Sequence, residues 1–442
     1  MELEAVIPKK ISQPPEISKL LVSPNTTVED ILAEPLTFRL FRQEDPQIIE
    51  FFIKNVSELL NYVFSTEKPE ISAKAFALFE HCNPKLIEAT LENQVFNNIA
   101  SRILRQKHIP PLMISRISSI TYNIFIVNPK FIETCGFIFQ LFKFLSEISV
   151  ITLFESLCKP NPEYAEIQQW LIQIGFLKLL QNEVDSFKCP DEADRTNDDA
   201  NLLTSYYYLI KICAMNPVFY DQICSHSFVY LLNRDIGSYP QFVEDIRWEA
   251  LAAIYHPKTS EMMGGLFQVA IEIICDEEKC KTRASVAALT ILRGMVHNDK
   301  FLFQYINSYS IPLNVMQIMI ENHSHSILHK ACRDFISSCF ASNQLDASQI
   351  KEILTLIVLN SDSEICSLRA SLKFLANNLL LIISKKPQMI KIAKEVENFS
   401  QFASRLQKYD TNINTFYGGV VDYESDEAQK LGLLVLPVFR LF

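Results

Sequence analysis

Apolar residues recur along this chain at three- and four-residue spacings. Ile49, Phe52, Ile53, Val56, Leu60 and Val63 fall at i, i+3, i+4, i+7, i+11 and i+14. Tyr206, Leu209, Ile210 and Cys213 repeat the start of that spacing, and so do Leu328, Ala331, Cys332, Phe335, Ile336 and Cys339. Each set predicts one apolar stripe on a helix. No stretch alternates apolar and polar residues over many positions, and the hairpin pairs Asn-Gly and Asp-Gly are absent. The pattern predicts an all-α protein.

Polar punctuation supports the same reading. Thr27 followed by Asp30 predicts an N-cap with an acidic first turn. Asp45-Pro46, Asn83-Pro84, Asn128-Pro129, Asn161-Pro162 and Asn216-Pro217 each pair a capping residue with a proline suited to the first helical position. These prolines lie 33 to 55 residues apart, about one helix pair per step. That predicts a HEAT/armadillo-like α-solenoid of irregular helical repeats. Residues 1–26, with Pro8, Pro14, Pro15 and Pro24, read as an extended N-terminal arm. Residues 27–186 and 201–407 read as two parts of the solenoid, and the acidic polar loop 187–200 as a surface insertion or a joint between them. Residues 408–442 read as a second polar loop and a terminal helix.

Composition narrows the function classes. The chain has 442 residues and only 9 glycines, about 2% against a usual share of about 7%. Phosphate-binding loops and tight hairpins need clustered glycine, and no such pattern is present. The formal net charge of -10, with no block of Lys or Arg, argues against nucleic acid as a partner. Eleven cysteines without a CxxC pair read as thiols in a reducing compartment. The amino terminus MELEAVIPKK lacks the form of a signal peptide, and no apolar run reaches the roughly 18 residues that span a bilayer. The expectation is a cytoplasmic chain, or one also nuclear, without membrane insertion.

Candidate chemistry is sparse. His325 and His329 are four apart in HSHSILH, but no closing ligands accompany them, so no metal site is expected. Cys275 and Cys280, in CDEEKC, fit neither zinc nor redox spacing. The local motifs of kinases, NTPases, zincins and hydrolases are missing, so neither catalysis nor a cofactor is expected. Trp170, in EIQQWLIQIGFLKLL, reads as a core anchor or as a partner-facing residue.

Four segments then carry a resemblance. TVEDILAEPLTFRLFRQEDPQIIEFFIKNVSELLNYV (27–63), EIQQWLIQIGFLKLLQNEVD (166–185), DDANLLTSYYYLIKI (198–212) and HSHSILHKACRDFI (323–336) resemble, in order and spacing, the SAPS-domain family. That family comprises regulatory subunits of phosphatase-six (Sit-four-like) serine/threonine protein phosphatases. Trp170, Leu171, Leu177 and Leu180 match its tryptophan-leucine segment, and Leu328 with His329 its late leucine-histidine pair. The asparagines usual before that pair are His325 and Ser326 here. The resemblance implies a non-catalytic helical scaffold that binds the phosphatase catalytic subunit and directs its substrate choice or location. It marks Trp170, His329 and Arg333 as candidate contact or shape-setting positions. The alternative is a transport or trafficking adaptor that binds other proteins.

Overall fold

Helices in this chain start where a polar side chain can cap them. In a computed structural model, Thr27 accepts from the Asp30 amide while Asp30 accepts from Thr27, a reciprocal capping box. Asp45 Oδ1 accepts from the amides of Gln47 and Ile48, and Asn83 Oδ1 from those of Lys85 and Leu86. Asn216 Oδ1 accepts from Val218, and Asn161 Oδ1 from Glu163. All five Asp/Asn-Pro steps open a helical element with proline at its first position. Two of these, at Pro129 and Pro162, are short 3-10 segments rather than the expected α-helices, and Asn128 makes no side-chain cap.

The structure describes residues 15–92, 94–187, 197–234, 239–298, 300–342 and 345–414. Apart from residues 235–238, they form two compact units that divide between Ile223 and Cys224. The first contains α1 Pro15–Val22, α2 Val28–Ala33, α3 Thr37–Arg42, α4 Pro46–Lys54, α5 Val56–Val63, α6 Pro69–Glu80 and α7 Pro84–Glu92. It continues with α8 Val95–Leu104, α9 Pro111–Val127, α10 Ile148–Cys158, α11 Ala165–Gln173, α12 Phe176–Ser186, α13 Asn197–Ala214 and α14 Pro217–Ile223. The second contains α15 His226–Asn233, α16 Gln241–Ile254, α17 Leu266–Cys275, α18 Arg283–Asn298, α19 Lys300–Ser308 and α20 Ile311–Glu321. It ends with α21 Ser326–Ser342, α22 Ala347–Asn360, α23 Cys366–Ser384, α24 Pro387–Glu395 and α25 Phe399–Asn414. No strand occurs among the described residues.

Each unit is an α-solenoid of irregular helical repeats. In the second unit α16, α18, α21 and α23 pack side by side as one layer, and α17, α20, α22 and α24 as the other. The first-layer helices begin at residues 241, 283, 326 and 366, a step of about 40 residues that matches HEAT and armadillo units. The first unit has a corresponding layer in α6, α9, α10 and α13. Between α9 and α10, however, 3-10 segments at Pro129–Glu133 and Ile138–Phe144 take the place of a second-layer helix.

Several expectations are corrected by this geometry. Pro15–Val22 is helical rather than extended, because Ile17 is buried where α1 packs on α2 and α4. Residues 1–14 lie outside the described residues. The acidic loop is shorter than 187–200, since α13 starts at Asn197 with Asp198 and Asp199 in its first turn, where the helix dipole favours them. Residues 188–196 lie outside the described residues. Nor is that loop the joint between the solenoid parts. The Tyr206 hydroxyl donates to Glu183 across it, and α13 packs on α10 and α12, so both flanks share one core. The loop expected from 408 is helical to Asn414, in α25, and the terminal helix expected beyond it lies outside the described residues.

The stripe from Ile49 to Val63 is divided between α4 and α5. Asn55 interrupts it with a non-helical backbone while its Nδ2 donates to the Phe51 carbonyl. Contrary to the expectation that no apolar run reaches bilayer length, α23 is 19 residues long and apolar enough to cross a membrane by length and composition. Its Leu368, Leu372, Leu375, Leu379 and Ile383 stripe is buried among the other helices of its unit.

Scarce glycine has a backbone counterpart. Glu44, Cys82, Gln94, Ser310 and Asn398 all adopt positive φ between consecutive helices, in the left-handed region where glycine is the usual occupant. Only Gly175, between α11 and α12, fills that role as glycine among the described residues.

Candidate partner-binding surfaces

In the first unit the candidate surface grows out of an aromatic core. Phe142 lies 4.9 Å from Phe154, 5.6 Å from Phe176 and 6.5 Å from Tyr206, ring centre to ring centre. Phe176 meets Phe219 at 6.2 Å. The Tyr206 hydroxyl donates to the Phe142 carbonyl and to Glu183; burial, then the nearby carboxylate, holds its pKa above the ordinary value. Phe139 carries the cluster outward, stacking on Phe142 at 6.1 Å and on Trp170 at 6.0 Å with planes 14° apart. Trp170 and Phe139 are half-buried. Trp170 is thus the outer edge of an aromatic stack that reaches inward to Phe142. Such a ring offers area at little entropic cost, as partner-facing tryptophans do.

In the second unit the residues His329 and Arg333 share α21 but not a role. His329 is fully buried, with Nδ1 3.1 Å from Ser371 Oγ and Nε2 3.0 Å from the Asn322 carbonyl. It ties α21 to α23 and to the turn after α20, so direct contact with a partner is excluded and its part is to set shape. Burial, opposed by hydrogen bonds to backbone carbonyls, holds the imidazole below its ordinary pKa. Arg333, one turn on, is half-buried and lies over the Phe374 ring with Cζ 4.4 Å from the centroid. Phe374 is 52% exposed. Asp334 pairs with Arg293 of α18 at 3.4 Å.

The remaining histidines of HSHSILH do not join His329. His325 Nδ1 accepts from the Leu328 amide and caps α21, while His323 Nδ1 meets Ser324 Oγ. Among the described residues no three His, Cys, Asp or Glu side chains are grouped to hold a metal ion. The ten described cysteines are free thiols. Burial pushes the Cys332 thiol up to about 12 and raises Cys339 and Cys213 as well, the last also beside Cys158. Thiols so shifted are poor nucleophiles. A shallow cleft of about 290 Å³ beside α6, α9 and α10 is lined by Ser118, Ser119, Ser149 and Thr152 with Glu80 as its one carboxylate.

Phe139 and Phe374 carry no motif and were not marked by sequence. The signal for Phe374 was its place as the one aromatic residue of α23, off the Leu368–Ile383 stripe. Arg116 was missed as well. It is buried in α9, donating to the Val63 carbonyl and Ser72 Oγ, with its plane 5.3 Å from the Phe76 centroid.

No protein-family model matches the chain, and no curated protein matches it. Solved structures do. A chain from a study of the phosphorylation-controlled cadherin–β-catenin interaction is 11% identical, with 92% of this chain and 78% of that chain covered and a TM-score of 0.46. An engineered protein is 13% identical, with 91% of this chain and 99% of that chain covered and a TM-score of 0.48. Likeness at that level assigns neither fold nor function, and the solenoid architecture rests on the chain's own helix packing.

Proposed function

We propose that this chain is a non-catalytic regulatory or scaffold subunit that binds the catalytic subunit of a phosphatase-six-type serine/threonine protein phosphatase. A stack of helix pairs leaves long, open layer faces suited to holding another protein. The observation that carries the proposal is the half-buried Trp170–Phe139 stack, a rigid aromatic edge presented from a solidly packed core. It lies in the second of the four segments that resemble the SAPS-domain family. The other segments also fall on helical elements: 27–63 on α2 to α5, 198–212 on α13 and 323–336 on α21 with its preceding turn. The net charge of -10 complements a basic partner surface. On this reading the chemistry belongs to the partner, and the chain works in the cytoplasm or nucleus by placing that enzyme.

Affinity capture of the full chain from a cell extract, followed by mass spectrometry, tests the proposal. A phosphatase catalytic subunit recovered with the wild type and depleted with Trp170→Ala supports it. Transport cargo or coat proteins recovered without a phosphatase overturn it in favour of the adaptor reading.

A further inference from the structure

Arg116 and Arg247 show how this fold treats an arginine that it withdraws from water. Arg116 lies over the Phe76 ring while Nη1 donates to the Val63 carbonyl and Ser72 Oγ. Arg247, half-buried on α16, donates to Glu244 and to the Leu232 and Arg234 carbonyls. Arg333 is different. It too lies over a ring, with Cζ 4.4 Å from the Phe374 centroid, yet its guanidinium makes no hydrogen bond or ion pair among the described residues. Of its three nitrogens only Nε is sealed from solvent, so the terminal amino groups are left open. That end of a guanidinium is a planar fork of donors, which a carboxylate or phosphate accepts in pairs.

The neighbours of Arg333 do not answer the fork. The one carboxylate of α21 is Asp334, and Arg293 of α18 pairs with it at 3.4 Å. Neither α18 nor α23 carries a carboxylate. Lys330 is exposed one turn before Arg333 and is also without a hydrogen bond or ion pair among the described residues. Ser337 Oγ, one turn after Arg333, is shielded without a partner. By the helical period, Arg333, Ser337, Lys330 and Asp334 fall within about 100° of the circumference of α21, from the Phe374 side to the Arg293 side. Beside them on α23, Phe374 and Leu381 are exposed two turns apart on one face. Two unpaired cations therefore adjoin an apolar strip, in a chain that is acidic as a whole.

This combination selects among anions. A nucleic-acid surface needs a wider run of basic residues than Lys330 and Arg333. A free phosphate has nothing to place on Phe374 and Leu381. A polypeptide segment with carboxylates next to large apolar side chains matches both features. We propose that this face of α21 and α23 binds an acidic, partly apolar segment of a partner protein. One carboxylate of the segment takes the Arg333 fork, Lys330 attracts a second, and an apolar side chain covers Phe374 and Leu381. The inference goes beyond the phosphatase reading and does not rest on it, since that reading rests on Trp170 in the first unit.

Selection of phage-displayed random dodecapeptides on the purified full chain, with no phosphatase present, is the test. Sequences enriched on the wild type are expected to hold Asp or Glu at least about threefold above the input library, next to Phe, Leu, Ile or Trp. The same peptides, synthesised and read by fluorescence polarisation, are expected to bind at least about tenfold more weakly to Arg333→Gln and at least about threefold more weakly to Phe374→Ala. Phe374 is exposed, so Phe374→Ala keeps the fold, checked by circular dichroism, even if Arg333→Gln does not. Neither inorganic phosphate nor a single-stranded oligothymidylate is expected to displace the peptides at equal concentration. No enrichment, enrichment of basic or neutral sequences, affinity unchanged by either substitution in a folded chain, or displacement by phosphate or the oligothymidylate would overturn the proposal.

Discussion

The two units build the same kind of helix stack from different materials. The first relies on aromatic rings and a buried guanidinium, with helices broken at Asn55 and replaced by 3-10 turns between α9 and α10. The second relies on aliphatic stripes such as Leu368 to Ile383 on long helices at a regular step. Large rings fill space between short, irregularly directed elements, whereas regular aliphatic ridges need straight neighbours. The difference reaches the surface. The first unit presents a tryptophan edge; the second presents an arginine-capped phenylalanine.

The largest expected effect of a single change lies in the first unit. Arg116 satisfies the Val63 carbonyl and Ser72 Oγ where water does not reach. Arg116→Ala removes both of these bonds, leaving the Val63 carbonyl only its bond from Ser72 Oγ, and empties the volume of a large buried side chain, and is expected to cost about 3 kcal/mol in urea unfolding. If the cost is under 1 kcal/mol, the buried polar lock is not what distinguishes this unit.

Next is His329, the polar tie of the second unit. His329→Leu removes hydrogen bonds to Ser371 and the Asn322 carbonyl and is expected to cost about 2 kcal/mol. Its pH dependence follows from the lowered pKa. The unfolded imidazole takes up its proton near its ordinary pKa of about 6.5, while the folded one stays neutral to lower pH. Stability from this site is therefore complete above about pH 6.5 and falls as pH drops from there towards the folded value. Denaturant titrations at pH 7.5 and 5.5 should show a smaller loss on acidification in His329→Leu than in the wild type.

Gly294 sharpens the contrast between ring and aliphatic packing within the second unit. A Cβ at this position of α18 would collide with the Tyr255 ring. Gly294→Ala gains about 1 kcal/mol in helix propensity but forces the ring aside, for a net loss of about 1 kcal/mol in thermal unfolding. The smallest effect belongs to the helix junctions. Gln94→Gly relieves a left-handed backbone at the cost of a more flexible unfolded chain, and is expected to stabilise the first unit by about 0.5 kcal/mol.

Legibility from sequence followed the same division. The stripe from Leu328 to Cys339 and the capping residues Thr27, Asp45, Asn83 and Asn216 rest on local geometry, and local geometry determined them. The Asn128-Pro129 step had the same local chemistry yet opened a 3-10 turn, in a segment that packs Phe131, Phe137 and Phe142 into the core. No spacing rule carries that non-local packing. Of the two readings of the acidic loop, insertion or joint, the joint fails for a similar reason: an acidic, polar loop looks like a boundary, but Tyr206 and Glu183 bind its two flanks into one core. At the candidate surfaces, Trp170 was visible as a rare residue type. Its stacking partner Phe139 and the Arg333–Phe374 pair depend on which helices become neighbours.

The central proposal is that this solenoid holds a phosphatase catalytic subunit through its half-buried aromatic edge. The most direct measurement is isothermal titration of the purified full chain with a purified phosphatase-six-type catalytic subunit, in parallel with Trp170→Ala. The account predicts saturable one-to-one binding by the wild type, weakened at least about tenfold by Trp170→Ala, whose half-buried site leaves the fold intact by circular dichroism. Absence of binding by the wild type, or binding unchanged by Trp170→Ala, would contradict it.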